Sequence, residues 1–114
     1  MTVAFTASLD TADAETVAEI LSTWLDLDLR VRTRLFGWEI HHDDAAIELY
    51  AHEALGSSTP LTLLSGTARL DFDRAHPLFE SLHTRCTAGG IPHDLEYEEE
   101  DAASDDRVRI LTHR

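Results

Sequence analysis

The sequence predicts an α+β domain in which two βαββ units supply a six-stranded, mainly antiparallel sheet with two helices on one face. Three observations predict it. A shift of 61 residues lays TASLDTADAETVAEILST (6–23) on TARLDFDRAHPLFESLHT (67–84) with eight of 18 positions identical. The same shift lays Ile47, Leu49 and His52 on Val108, Ile110 and His113, and two distant matches at one offset indicate an internal repeat. Within each copy the apolar spacing changes from period 2 to period 3.6 and back, which reads strand, helix, strand, strand.

The elements follow in order. The first strand is expected over residues 3–9, with its counterpart over 62–70. The first helix has Asp13 or Thr11 as N-cap and Val17, Ile20, Leu21, Trp24 and Leu25 on one face. Its counterpart has Asp73 as N-cap and Ala75, Leu78, Phe79, Leu82 and Cys86 on one face, tolerates Pro77 in its first turn, and ends at Ala88, Gly89 and Gly90. The second strand of copy one alternates Val31, Thr33, Leu35 and then changes phase to Phe36, Trp38, Ile40, which predicts a bulge at Gly37. In copy two the strand runs Ile91, His93, Leu95, Tyr97 without a change of phase. If Asp43 and Asp44 are the central pair of a tight turn, Ile40 faces Ile47, Trp38 faces Leu49 and Phe36 faces Ala51. The corresponding turn in copy two is the acidic loop around residues 101–106.

Residues 1–114 are therefore read as one domain, with copies at 1–52 and 62–114 joined by the linker 53–61. The arrangement is that of a ferredoxin-like or related sandwich. A monomer or a homodimer satisfies it.

Charge narrows the function. The chain has 22 acidic residues against nine basic ones, a formal net of −13, and every basic residue is arginine. Nucleic acid and anionic membranes both require clustered cations, so neither is an expected partner, whereas a basic protein is. No apolar run is long enough for a signal peptide or a membrane helix, which places the protein in the cytoplasm. The lone Cys86 excludes an internal disulfide and is read as core filler.

Candidate chemistry was weighed at each polar cluster. In WEIHHDD (38–44), His41 and His42 point to opposite faces of a strand, so a hairpin tip explains the motif better than a metal. His76, Glu80 and His83 share a helix face and are read as a surface hydrogen-bonded trio; His52 and His113 are repeat equivalents at strand ends. Arg30, Arg32 and Arg34 alternate along one strand face and are expected to neutralise acidic side chains on neighbouring strands. No phosphate loop, nucleophile elbow or cofactor motif is present, so no catalytic residue, cofactor or metal is assigned.

The densest feature is EYEEEDAASDD (96–106), with seven carboxylates in eleven positions. Glu96, Glu98, Glu99, Glu100, Asp101, Asp105 and Asp106, with Tyr97 as an aromatic anchor, are expected to dock a basic partner. The expected protein is non-enzymatic: an inhibitor or immunity-type protein covering the basic groove of a nuclease or other toxin. Two alternatives stand beside it. One is a small-ligand or metal-binding domain using His52, His113, His76 and His83; the other is a salt-adapted structural protein whose acidity concerns solvent alone.

Overall fold

The structure, a computed structural model, describes residues 2–100 and 108–113. The elements are β1 (Val3–Leu9), α1 (Ala14–Leu25), β2 (Arg32–Thr33), β3 (Trp38–Asp43), β4 (Ile47–Glu53), β5 (Thr62–Ala68), α2 (Phe72–Ala88), β6 (His93–Glu99) and β7 (Val108–His113). Seven strands form one antiparallel sheet in the order β2-β3-β4-β5-β1-β6-β7. The α+β class holds, and the expected six strands become seven.

The extra strand comes from the change of phase around Gly37. That change marks a reversal of the chain, not a bulge: Gly37 has φ +87°, and the amide of Arg34 donates to its carbonyl at 2.9 Å. Such a backbone angle suits glycine because no Cβ crowds the carbonyl. A tight hairpin therefore separates β2 from β3 and leaves Leu35 and Phe36 at its tip, 91% and 70% exposed.

The next hairpin also closes differently. Asp44 begins the turn: its amide donates to the Ile47 carbonyl, and its carboxylate accepts from the amides of Ala46 and Ile47 at 2.7 and 2.9 Å. This is the side-chain turn that Asp favours. The register becomes Ile40 opposite Ala51 and His42 opposite Leu49, in place of Ile40 opposite Ile47 and Trp38 opposite Leu49. A slip of four residues, an even number, preserves which side chains face inward, so Trp38, Ile40, Ile47, Leu49 and Ala51 are all buried despite it.

The repeat is not carried through the sheet. Each half opens with a strand followed by a helix, and β1 pairs with β5 at the centre. Beyond them the halves diverge. In the first half the last strand, β4, lies inside beside β5 and β3 lies outside it, whereas in the second half β6 lies inside beside β1 and β7 is the edge. The inner block β4-β5-β1-β6 with its two helices has the split β-α-β connectivity of ferredoxin-like sheets.

Both helices pack on the same face. Phe5 of β1 meets Trp24 of α1 edge-on at 6.2 Å and Phe79 of α2 at 5.0 Å. The Trp24 indole donates to the Leu78 carbonyl at 2.7 Å and ties the helices together. The cap of helix α2 lies two residues before the expected Asp73: Asp71 accepts from the amide of Arg74. Pro77 consequently lies past the first turn and removes one helical hydrogen bond. Cys86 is fully buried on the inner stripe of α2.

Candidate functional site

The strands bury every second residue under the helices and turn the others to the opposite, helix-free face. On β6 the inward residues are His93, Leu95 and Tyr97, and the outward ones are Asp94, Glu96 and Glu98. The register places these three carboxylates opposite Ser8, Thr6 and Ala4 of β1 on one side, and opposite Thr112, Ile110 and Val108 of β7 on the other. None of those six neighbours is basic. Two carboxylates two residues apart on a strand are separated by about 7 Å and repel by roughly 0.6 kcal/mol in bulk water.

The central strands carry small outward residues, and the face is hollow there. A trough of about 430 Å³ runs over Thr6, Ser8 and Leu63, bounded by Asp94, Glu96, Ile110 and Thr112. Ile110 is 64% exposed at its rim. Among the described residues the trough lining contains no cationic side chain.

Across the sheet, the face changes character. Arg34 donates to the Tyr50 hydroxyl at 2.9 Å and pairs with Glu39 at 3.3 Å, while Tyr50 donates to Glu39 at 3.0 Å. Burial, followed by the hydrogen bond to Glu39, pushes the Tyr50 phenol above its ordinary value. His52 stacks on Tyr50 with ring centres 5.0 Å apart. Its Nδ1 lies 3.1 Å from the Glu53 carbonyl, which can only accept, so Nδ1 carries the hydrogen and Nε2 is the acceptor of the neutral ring. Arg34, Phe36, Trp38, Tyr50, His52, Leu55 and Leu63 line a second hollow of about 370 Å³.

The structure sorts the expected site residues. Glu96, Glu98 and Glu100 are exposed and Glu99 is half-buried. Glu100 accepts from the Thr67 hydroxyl at 3.2 Å. Asp101, Asp105 and Asp106 lie outside the described residues. Tyr97 is corrected: it is fully buried, stacked on Phe79 at 4.7 Å, and its hydroxyl lies 2.8 Å from His76 Nδ1. Alternation along β6 sends Tyr97 inward whenever Glu96 and Glu98 point outward, so the aromatic anchor and the carboxylates cannot share a face.

The helix histidines are corrected as well. Only Glu80 of the expected surface trio is exposed; His76 and His83 are half-buried and reach toward the sheet. His52 and His113 do not meet, because β5, β1 and β6 lie between their strands. Arg34 pairs with Glu39 of neighbouring strand β3 at 3.3 Å, as expected, whereas Arg30 precedes β2 and pairs with Asp28 two residues away at 3.0 Å. His42 Nε2 lies 2.6 Å from Asp44. That contact, with the amides of Ile47 and Ala46, holds the Asp44 carboxyl down at about 2.

His93 was not legible as a functional residue. It is 5% exposed, with Nδ1 2.9 Å from the Ile91 carbonyl and Nε2 2.8 Å from His83 Nδ1, and its ring centre lies 5.9 Å from that of His113. The available signal was its inward phase on β6, opposite a strand-end histidine. Among the described residues no group of three or more His, Cys, Asp or Glu is placed to hold a metal ion. Nor, among them, is any helix long and apolar enough to cross a membrane.

The chain matches none of the known protein families against which it was compared. A search of curated proteins gives no match either.

Proposed function

We propose that this is a non-enzymatic binding module that docks a basic protein partner on the helix-free face of its sheet, as an inhibitor or immunity-type protein would. The observation that carries the reading is the outward pair Glu96 and Glu98 beside the exposed Ile110, overlooking a trough whose described lining has no cation. A guanidinium or ammonium group lying over this pair relieves the mutual repulsion of the carboxylates, and Ile110 supplies an apolar contact next to it. The net charge of −13 raises the encounter rate with any basic partner.

Affinity capture from a lysate of the source cells, followed by titration of the captured protein, tests this. The expected partner is basic, and its binding weakens by about tenfold or more between low and moderately high salt. It weakens comparably in the double variant Glu96→Gln, Glu98→Gln. Capture of no basic protein, or binding indifferent to both changes, overturns the reading.

A second reading, a small-ligand site, is favoured by the hollow at Arg34, Phe36, Tyr50, His52 and Leu63. Apolar walls with a few converging polar groups are what such sites require. A planar aromatic carboxylate suits it, with its ring against Phe36 and Leu63 and its acid group toward Arg34. Benzoate and indole-3-carboxylate at millimolar concentration should raise the unfolding temperature of wild type but not of Arg34→Ala. No shift with either compound removes this reading.

A further inference from the structure

Three histidines from three elements converge where the C-terminal half of α2 lies over β6 and β7. We infer that His83, His93 and His113 form an acid-sensitive latch that holds edge strand β7 and the end of α2 onto β6 at neutral pH and releases them on acidification. The inference does not rest on the proposed partner and stands or falls separately from it.

The hydrogen positions follow from the acceptors. The Ile91 carbonyl can only accept, so the hydrogen of neutral His93 is on Nδ1 and Nε2 is a bare acceptor. His83 Nδ1, 2.8 Å away, must then donate to it. The neutral arrangement satisfies both rings. A first proton is accommodated on Nε2 of His83, whose Nδ1–H still donates to His93 Nε2. A second proton is not: both facing nitrogens then carry hydrogens, and two cationic rings confront each other at hydrogen-bond distance. His113 stands beside them on β7 as a third ring able to gain charge.

The groups around His93 do not offset that charge. His83 faces it from α2 and His113 from β7, and both oppose a positive charge on it. Asp94 of its own strand favours one, as does the Ile91 carbonyl, but burial outweighs them and the ring is harder to protonate than a free histidine. Asp10 and Ser8 line the hollow of about 370 Å³ beside His93 and His113. The unfolded chain therefore takes up protons before the latch does. Stability from His93 is present above the ordinary histidine range and is lost as pH falls below about 6.5.

Strand β7 is where the loss should show, because among the described residues it is an edge strand with β6 as its sole sheet neighbour. Amide hydrogen exchange of the full chain, corrected for the intrinsic pH dependence, is followed from pH 7.5 to 5. Protection of the β7 amides should drop by about tenfold or more relative to β4. His93→Asn keeps a donor for the Ile91 carbonyl and cannot titrate, so in it the pH-dependent difference should vanish. Should that variant fail to fold, imidazole NMR titration of wild type decides: His93 must titrate below the free histidine value. Parallel exchange of β7 and β4 across the range, or titration of His93 at the ordinary histidine value, overturns the latch.

Discussion

Replacing Gly66 with alanine tests the packing that brings the two halves together. Gly66 is on central strand β5, opposite Phe5 of β1 and Leu49 of β4. A methyl group there lands on the carbonyl oxygen of Glu48 and 2.8 Å from Cζ of Phe5. The first obstacle is backbone, so β4 and β5 would have to move apart by on the order of 1 Å in an interior packed at crystal density. The Phe5 ring cannot retreat freely, since Trp24 and Phe79 hold it from the other side. Overpacking of this kind costs about 1–3 kcal/mol, and a clash with the sheet ladder belongs at the upper end. The stiffer unfolded chain returns about 0.4–1 kcal/mol. The net expectation is a loss of about 2 kcal/mol, or roughly 8 °C in unfolding temperature for a chain of this length. Urea unfolding followed by the fluorescence of buried Trp24 and Trp38 reads it directly. A variant as stable as wild type would show that β4 and β5 are not in the described register.

Three further outcomes follow from single residues. Tyr97→Phe removes the hydroxyl that meets His76 and should cost about 0.5–1.5 kcal/mol in urea unfolding, while leaving capture of a basic partner unchanged; loss of capture would return Tyr97 to the surface. Burial pushes the Cys86 thiol up to about 11, so Ellman's reagent should react with native protein at least about a hundredfold more slowly than with unfolded protein, and prompt reaction would refute its burial. The Asp44 carboxyl, held at about 2, contributes stability that is complete above the ordinary carboxylate value of 3.8 and is lost as pH falls from there toward 2. NMR titration should find Asp44 below the other aspartates in wild type and nearer to them in His42→Ala; an unshifted Asp44 in wild type would contradict the turn geometry.

Periodicity was a sound guide wherever one face of an element is buried. It located β1 and both helices, and it identified Trp38, Ile40, Leu49 and Cys86 as interior. It failed where the information is three-dimensional. The phase change at Gly37 was visible, but a bulge and a reversal leave the same trace in sequence, and the seventh strand depended on which occurred. The likeness between the two halves was legible too, yet sequence similarity does not say which strand a neighbour will pair with, and the outer strands chose differently. At the candidate site, Glu96 and Glu98 were found by composition alone, while Tyr97 was drawn into the same group because proximity along the chain took precedence over alternation. His93 was overlooked for the opposite reason: it partners His83 and His113, ten and twenty positions away, and only the packing of α2 on the sheet unites them.

The sheet order divides the molecule into a frame and two attachments. Strands β4, β5, β1 and β6 with both helices close upon themselves, whereas the β2–β3 hairpin is appended to one border and β7 to the other. Leu35, Phe36 and Ile110, three of the most solvent-exposed large apolar side chains, all belong to the appended pieces. Specificity can therefore be rewritten at either border by changing the hairpin tip or the outward residues of β7, while Trp38 and Ile40 of β3 stay in the interior that keeps the chain folded.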